Sequence, residues 1–425
     1  MNPSFLEIVA TVIFVLAICH TFLAGKFAHI AHKYPEGSIG ENFWHFMGEV
    51  EAVFGMWSAV FLAFVFFTEG AMGPVTFLES QNFTEPAFVF VIMAMAGTRP
   101  VIKLAEKIIV GISKILPFPK KMSFYLTALI VGPLLGSFIT EPAAMTVTAI
   151  ILLKNFFSKE MSLKFKYATI GLLFVNVSIG GTLTHFAAPP VLMVAAKWNL
   201  GIMEMLTQFG YKAAIACIVS ALVVAFTFKK ELNGDFDLRP DNKEKMAPAW
   251  WITLVHVIFL GVVVISAHHM VVFMGLFLFF LGFVKVTEEF QDAVKLKESL
   301  MVGFFLGGLI ILGSKQQWWL QPVISQLSDY VLYFGATGLT AITDNAALTY
   351  LGSLVELSDK AKYMLLAGAV TGGGLTVIAN APNPAGYGIL KDSFGQDGIS
   401  PIGLLKGALF PTLVAIICFL ALPSL

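Results

Sequence analysis

The sequence predicts an all-α polytopic membrane protein made of two inverted repeats with discontinuous helices. Three observations lead to this fold class. The 425-residue chain is 57% hydrophobic and 13% charged, with a mean hydropathy of +0.82, which is too apolar for a soluble domain. Two motifs occur in both halves, in the same order. The basic residues are concentrated in alternate loops, as expected for loops on one side of a membrane.

The repeated motifs are short and closely matched. The first is Ile-Thr-Glu-Pro-Ala-Ala-Met-Thr at residues 139–146 and Ile-Thr-Asp-Asn-Ala-Ala-Leu-Thr at residues 342–349. The second starts at Gly180 and again at Gly372, and over both motifs eleven of nineteen paired positions are identical. We therefore predict a first transmembrane repeat at residues 1–228 and a second at 248–425, joined by a polar cytoplasmic linker at 229–247.

The apolar runs of the first half are long enough to cross a ~30 Å hydrocarbon core as helices. They lie at about 5–31, 50–68 and 82–98, followed by a broken span at about 167–196 and a span that ends at Lys229. The basic segment 99–121 predicts an amphipathic helix along the membrane interface. The run at about 122–155 is too long for one straight span, and it predicts a re-entrant hairpin with Thr140, Glu141 and Pro142 at its tip.

The second half repeats this order. Spans are predicted at about 248–267, 270–285 and 298–314, with a mixed-charge amphipathic segment at 286–297. A hairpin at 322–356 has Thr343, Asp344 and Asn345 at its tip, and a broken span at about 362–390 and a final span at about 401–422 follow. Each half then has about five transmembrane helices and one re-entrant hairpin. Because five is odd, the second repeat enters the membrane upside down relative to the first.

The loop charges agree with this topology. By our count, 21 of the 27 Lys and Arg residues lie in loops that share a side with the linker, four lie on the other side and two fall within spans. The positive-inside rule places the linker in the cytoplasm and both termini on the outer side of a bacterial-type inner membrane.

Inverted repeats with broken helices are typical of secondary transporters, whose ion sites lie near the midplane at the helix breaks. A carboxylate there costs about 2.5–3.5 kcal/mol on insertion scales, so it is a functional candidate by default. The candidate cation- or proton-binding residues are Asp344, Asn345, Thr343, Asn380, Thr376, Glu141, Thr140, Thr184 and His185. Structural alternatives remain open: Asp344 as a helix cap, Glu141 as a salt-bridged acid in a rigid turn, and His185 as a histidine bonded to a backbone carbonyl.

The breaks themselves are marked by glycine and proline. These helix-break residues are Gly180, Gly181, Gly372, Gly373, Gly374, Pro189, Pro190, Pro382 and Pro384. Glycine at such a break permits either unusual backbone angles or close helix packing.

A desolvated carboxyl group favours its protonated form, whereas a nearby sodium ion favours the ionised form, so a proton and a cation compete for the same oxygens. Carboxylate and amide oxygens suit a hard cation. Alignment of the repeats pairs Asp344 with Glu141 and Asn380 with Ala188, so we expect Asp344 and Asn380 to be sodium ligands, and Glu141 to have fewer neutral ligands. Beyond the transported cation and proton no cofactor is expected, no nucleic acid is expected as a partner, and a homodimer is left open.

At these motifs the chain resembles the ion transporter superfamily, above all NhaD-like sodium/proton antiporters, and more distantly the arsenite and dicarboxylate carriers. The resemblance implies that the hairpin tips and broken helices meet to form the ion pathway. It implies a transporter that exchanges a monovalent cation, sodium above all, for protons. A membrane-embedded enzyme or haem protein is a third possibility, which no HExxH or GxSxG motif and no paired intramembrane histidines support, so no enzyme is expected. The alternative is a sodium-coupled symporter of a small carboxylate or other anion. The dicarboxylate carriers have Ser-Asn-Thr at both tips, where this chain has acids that would repel an anion.

Overall fold

The computed structural model of the protein describes residues 3–157, 161–234, 236, 246–395 and 398–425. All regular secondary structure in these ranges is helical. The helices of the first half are α1 Phe5–Ala31, α2 Ile39–Gly48, α3 Val50–Glu69, α4 Gly73–Glu79, α5 Thr84–Ala96, α6 Arg99–Ser113, α7 Lys120–Ile139, α8 Glu141–Phe156, α9 Leu163–Gly180, α10 Pro189–Trp198, α11 Ile202–Met205 and α12 Tyr211–Thr227. Those of the second half are α13 Trp250–Ile265, α14 Met270–Val286, α15 Leu296–Gly313, α16 Gln317–Ile324, α17 Asp329–Thr340, α18 Asn345–Ser353, α19 Asp359–Gly372, α20 Asn383–Leu390 and α21 Pro401–Ala421.

Six helical segments of the described chain are long and apolar enough to cross a membrane. They are α1, α3, α7, the segment Ile202–Thr227, α15 and α21; α5 and α6, bent by 68° at a short break, would form a seventh. Five of the six were predicted as crossings, and the sixth, α7, was predicted as one arm of a re-entrant hairpin. The other five of the ten predicted crossings are shorter helices: both broken spans are divided, and α5, α13 and α14 have 13, 16 and 17 residues.

Helices α7 and α8 form an antiparallel hairpin about Thr140. Gly136 packs against Ala144 and Gly132 against Thr148, so residues equidistant from Thr140 are neighbours. At 20 residues, α7 is long enough to cross the bilayer by itself. In the second half α17 and α18 have only 12 and 9 residues. The predicted start of that hairpin at residue 322 is wrong, since residue 322 belongs to the separate helix α16, which ends at Ile324.

Two further segments differ from the predictions. The segment 286–297, predicted to be amphipathic, has one 3₁₀ turn at Glu288–Phe290 and no helix from there to residue 295. The segment at about 32–48, which follows the first predicted span and for which no helix was predicted, contains the helix α2.

The two predicted broken spans are present as helix pairs. Helices α9 and α10 are separated by a 3₁₀ turn at Gly181–Leu183 and an irregular segment, and α19 and α20 by a 3₁₀ turn at Val377–Ala379. The second member of each pair packs on the hairpin of the other half: α10 contacts α18, and α20 contacts α8. Each half therefore completes the surroundings of the other half's hairpin.

The helices form two main packing groups. The first helix group contains α1, α3, α5, α14 and α15, whose buried apolar side chains make one continuous core. The second helix group contains α7, α8, α9, α12, α17, α19 and α21, with two adjoining cores. Residues of α10 contribute to the cores of both groups. Buried residues of α18 belong to the core of the first group, and α18 contacts α19 of the second, so both helices lie where the groups meet.

Loops that were predicted to share a side contact one another. Lys121 Nζ donates to the Glu231 carbonyl oxygen at 2.7 Å, and Lys166 Nζ donates to the Ser393 carbonyl oxygen at 3.0 Å. A different set of contacts brings the chain end beside the start of α12, where the Leu425 N–H donates to the Thr207 carbonyl oxygen at 3.0 Å. Of the predicted linker 229–247, residues 235 and 237–245 lie outside the described residues.

Candidate functional site

Glu141 is the most deeply buried acid of the candidate site. It is the first residue of α8 and is 0% exposed. Its Oε2 accepts a hydrogen bond from Asn380 Nδ2 at 3.0 Å, and its Oε1 has no hydrogen-bond partner within the described ranges. Since α8 begins here, the partial positive charge of the helix N-terminus favours a negative charge on this carboxyl group. Glu141 is therefore held by one amide and keeps one oxygen available.

Thr140 forms the break between α7 and α8. Its φ is 74°, a value that a non-glycine residue seldom adopts. The side chain is 2% exposed, and Oγ1 has no partner among the described residues. A backbone of this kind costs about 1–3 kcal/mol and persists only where the surroundings impose it. The tip of the first hairpin is thus a strained and closely packed turn.

Asp344 is the N-cap of α18. Its Oδ1 accepts hydrogen bonds from the backbone N–H groups of Ala346 at 2.8 Å and Ala347 at 3.2 Å. The capping alternative is therefore present in the structure. Capping does not exclude a second role for the carboxyl group, because Asp344 is only partly buried and lines two cavities. One has a volume of about 40 Å³, and the other is apolar with a volume of about 330 Å³.

Asn345 follows as the first residue of α18. It is 0% exposed, and neither Oδ1 nor Nδ2 has a partner among the residues that the structure describes. A Cβ atom on Gly373 would lie 2.9 Å from its Nδ2. In the first half, a Cβ atom on Gly181 would collide with Glu141 Oε1. Each break therefore places a glycine against the first side chain of a hairpin helix.

Asn380 lies in an unexpected place. The sequence predicted it to be a sodium ligand together with Asp344, and its side chain donates a hydrogen bond to Glu141, across the two halves. The reason is the crossing of α20 over α8. The sequence predicted fewer neutral ligands for Glu141 than for Asp344, and the structure gives Glu141 one neutral partner, the Asn380 amide. Asn380 still lines the 40 Å³ cavity together with Asp344, and its Oδ1 has no partner in the described chain.

The charges of the two tips are close enough to act on each other: the Asp344 carboxyl group contributes to the electrostatic environment of Glu141. Among the described residues, no group of three or more His, Cys, Asp or Glu side chains is arranged to hold a metal ion. A cation here would take carboxylate and amide oxygens together, a donor set that suits a hard cation.

The sequence matches the family described as "Putative Na+/H+ antiporter" over residues 5–422. The chain belongs to this antiporter family. No curated protein matches the chain significantly. Membership in this family, with the long apolar helices, makes the protein a multi-pass membrane transporter with cations and protons as its class of substrate.

The predicted threonines of this antiporter mainly hold the backbone. Thr343 Oγ1 donates to the Leu339 carbonyl oxygen at 2.9 Å and Thr376 Oγ1 to the Ala341 carbonyl oxygen at 2.8 Å. Thr184 Oγ1 donates to the Ser137 carbonyl oxygen at 2.6 Å. These bonds tie the breaks to the hairpins and leave only the hydroxyl lone pairs for an ion.

The charged groups that act on His185 do not include Glu141 or Asp344. His185 interacts electrostatically with His268 and Glu204, and its Nδ1 has no partner among the described residues. A hydrogen bond from Nδ1 to a backbone carbonyl, which was the structural alternative for this histidine, is therefore not present among the described residues.

The glycines of the breaks serve close packing. None of the five has a positive φ. Instead, Gly180 packs against Pro133 of α7 and Gly372 against Thr337 of α17, while Gly374 packs against Val175 of α9. Of the two explanations that the sequence left open, packing is the one that the antiporter's structure supports. Pro189 starts α10, and Pro382 directly precedes α20, in which Pro384 is the second residue.

Three polar residues of the site were missed by the sequence reasoning. Ser137 Oγ donates to the Gly180 carbonyl oxygen at 2.7 Å and accepts from the Leu183 N–H at 2.9 Å. Asn383 Nδ2 donates to the Gly373 and Thr376 carbonyl oxygens at 2.7 and 2.8 Å. Glu51, at the start of α3, lines the 40 Å³ cavity with Asp344. Asn383 directly follows the last residue of the second motif, and this position could have identified it. Glu51 lies at the start of a predicted span, where an acidic residue usually marks the membrane boundary.

Proposed function

We propose that this protein exchanges sodium for protons by direct competition at the carboxyl groups of Glu141 and Asp344. The observation that carries the proposal is the Glu141–Asn380 pair: a fully buried carboxyl group, bonded to an amide of the other half, beside a second acid. A buried charge without a partner is expensive, so each carboxyl group needs either a proton or a cation. The two ligands therefore exclude each other, and this exclusion couples their movements.

The two acids differ in access. Asp344 lines two cavities, whereas Glu141 is sealed among α8, Gly181 and Asn380. We assign Asp344 as the carboxyl group that an arriving cation meets first, with the Asn380 amide oxygen beside it. Glu141 holds that amide in place and balances the charge.

The proposal includes the inverted arrangement of repeats 1–228 and 248–425, with the linker 229–247 in the cytoplasm and both termini outside. It is supported by the matched motifs and by the reciprocal contacts of α10 with α18 and of α20 with α8. It is also supported by the contacts among loops predicted to be cytoplasmic.

The test is cation-driven dissipation of a pH gradient in everted membrane vesicles. Sodium should collapse the gradient, and choline at the same ionic strength should not. Because protons compete with the cation, the sodium concentration for half-maximal exchange should rise as the pH falls. A half-maximal concentration that stays constant from about pH 6 to 9 contradicts direct competition.

A further inference from the structure

The 40 Å³ cavity lies where the two helix groups meet. Its wall in the first group includes Glu51 of α3 and Phe305 of α15, and the opposite wall includes Asp344, Asn380 and Ala381. A water molecule needs about 10–15 Å³ of such space. The cavity can therefore hold an ion with one or two waters, between a carboxyl group of α3 and a carboxyl group at the start of α18.

An acidic pair alone would not identify a site, but the amide beside it points to a ligand. Asn380 is 1% exposed and lines this cavity, and its Oδ1 has no partner in the described chain. Its Nδ2 is fixed by the hydrogen bond to Glu141, so the amide cannot turn to exchange its oxygen for a donor without breaking that bond. A buried amide oxygen without a donor is costly, and a cation would satisfy it.

Glu51 is close enough to Asp344 for their charges to interact. Two carboxylates that share a small cavity repel each other when both are ionised, and a cation between them removes the repulsion. Asp344 Oδ1 is engaged by the α18 backbone. Glu51 of α3 therefore adds carboxyl oxygens to a cavity in which one oxygen of Asp344 is already hydrogen-bonded.

We propose that Glu51 is a third ligand of the transported monovalent cation, which it binds together with Asp344 and the Asn380 Oδ1. The inference rests on the proposed cation/proton exchange. It assigns to α3 a direct part in binding, and the bound cation then joins α3 to the start of α18 and to the break before α20.

The experiment compares Glu51→Gln with Glu49→Gln in purified protein reconstituted into liposomes. Glu49 lies two residues earlier, is exposed and does not line the cavity, so it is a matched control for charge. Glu51→Gln should raise the half-maximal sodium concentration at least tenfold, and Glu49→Gln should leave it within twofold of the wild type. Glu51→Asp, which keeps the charge on a shorter side chain, should give an intermediate value.

A half-maximal sodium concentration within twofold of the wild type in Glu51→Gln would overturn the inference while exchange by the wild type still stands. Absence of sodium-driven exchange in both the wild type and Glu49→Gln would instead overturn the proposed function.

A measurement on the wild type covers the case in which Glu51→Gln fails to fold. The purified protein is treated with a hydrophobic carbodiimide, and modification of the Glu51 peptide is quantified by mass spectrometry. Sodium should reduce this modification severalfold relative to choline. Equal modification in the two salts would overturn the assignment of Glu51 as a cation ligand.

Discussion

Asn345 occupies in α18 the position that Glu141 occupies in α8: each is the first residue of its helix, and each lies against a glycine of a broken span. Alignment of the motifs pairs Glu141 with Asp344, but the start of the helix is displaced by one residue between the halves. Asp344 thereby becomes an N-cap, as Thr140 is in the first half. The two acids thus have different environments, and the following variants should separate their roles.

Asp344→Asn should abolish sodium/proton exchange while the protein remains folded. Asparagine is as good an N-cap as aspartate, so the substitution keeps the cap of α18 and removes the charge. The lost attraction for a cation is about 4 kcal/mol at 4 Å for an effective dielectric near 20, roughly a thousandfold in affinity. Exchange is measured by gradient dissipation in everted vesicles. The exposed first-turn acid of α19 provides the control Asp359→Asn, which should retain the wild-type rate.

Glu141→Gln should reduce the maximal rate without abolishing exchange. Glutamine keeps the volume, and its carbonyl oxygen can still accept from Asn380 Nδ2. A hydrogen bond to a charged group contributes about 1.5–3 kcal/mol, so we expect a reduction of about ten- to a hundredfold. Rates are compared at saturating sodium. Wild-type exchange by Asp344→Asn together with none by Glu141→Gln would show that the primary cation site is at the first hairpin.

Asn380→Ala should raise the half-maximal sodium concentration by about tenfold or more and change the maximal rate much less. The variant removes the donor to Glu141 and the free oxygen in the cavity, each a contact of about 1–3 kcal/mol. Asn155→Ala, in the last turn of α8, is the control, since Asn155 Nδ2 donates to its own helix, at the Ile151 carbonyl oxygen. An unchanged half-maximal sodium concentration in Asn380→Ala would remove Asn380 from the site.

Gly181→Ala should impair exchange severely, because the added methyl group collides with Glu141 Oε1 in a site with no exposed surface. Overpacking of this kind typically costs about 1–3 kcal/mol. The control is Gly388→Ala in α20, where an added Cβ meets nothing within 4 Å. Thermal stability of the purified variants and vesicle exchange are measured together. Equal activity of the two variants would contradict the packing of Glu141 against the break.

The proposed topology predicts opposite labelling of two exposed positions, Lys230 and Glu356. In a background without Cys19, Cys217 and Cys418, Glu356→Cys should react with a membrane-impermeant maleimide added to intact cells. Lys230→Cys should react only after the membrane is opened. Labelling of both cysteines from outside would remove the inverted arrangement of the repeats.

Local sequence signals predicted the helix breaks well. Thr140 and Pro142 located the first hairpin tip, and the glycine–proline motifs located both broken spans, because these residue types act on the backbone where they stand. The contact between Asn380 and Glu141 could not be predicted in this way. It depends on α20 of one half crossing α8 of the other, and a repeat alignment compares equivalent positions without indicating which of them meet. Glu51 was missed for a similar reason: an acid at the start of an apolar run usually marks the membrane boundary, and only the tertiary structure shows that it shares a cavity with Asp344.

The hydrogen bond between Glu141 and Asn380 joins residues that are 239 positions apart. A ribosome adds about 5–20 residues per second, so roughly 10–50 s pass between synthesis of the carboxyl group and synthesis of its amide partner. During that interval the nascent first hairpin carries an acid whose hydrogen-bond donor, Asn380, has not yet been synthesised. Burying the ionised Glu141 carboxyl group at that stage would be costly. The group must therefore remain hydrated or protonated until the second broken span is inserted. The candidate ion site is therefore completed only when the C-terminal part of the chain has been synthesised and inserted.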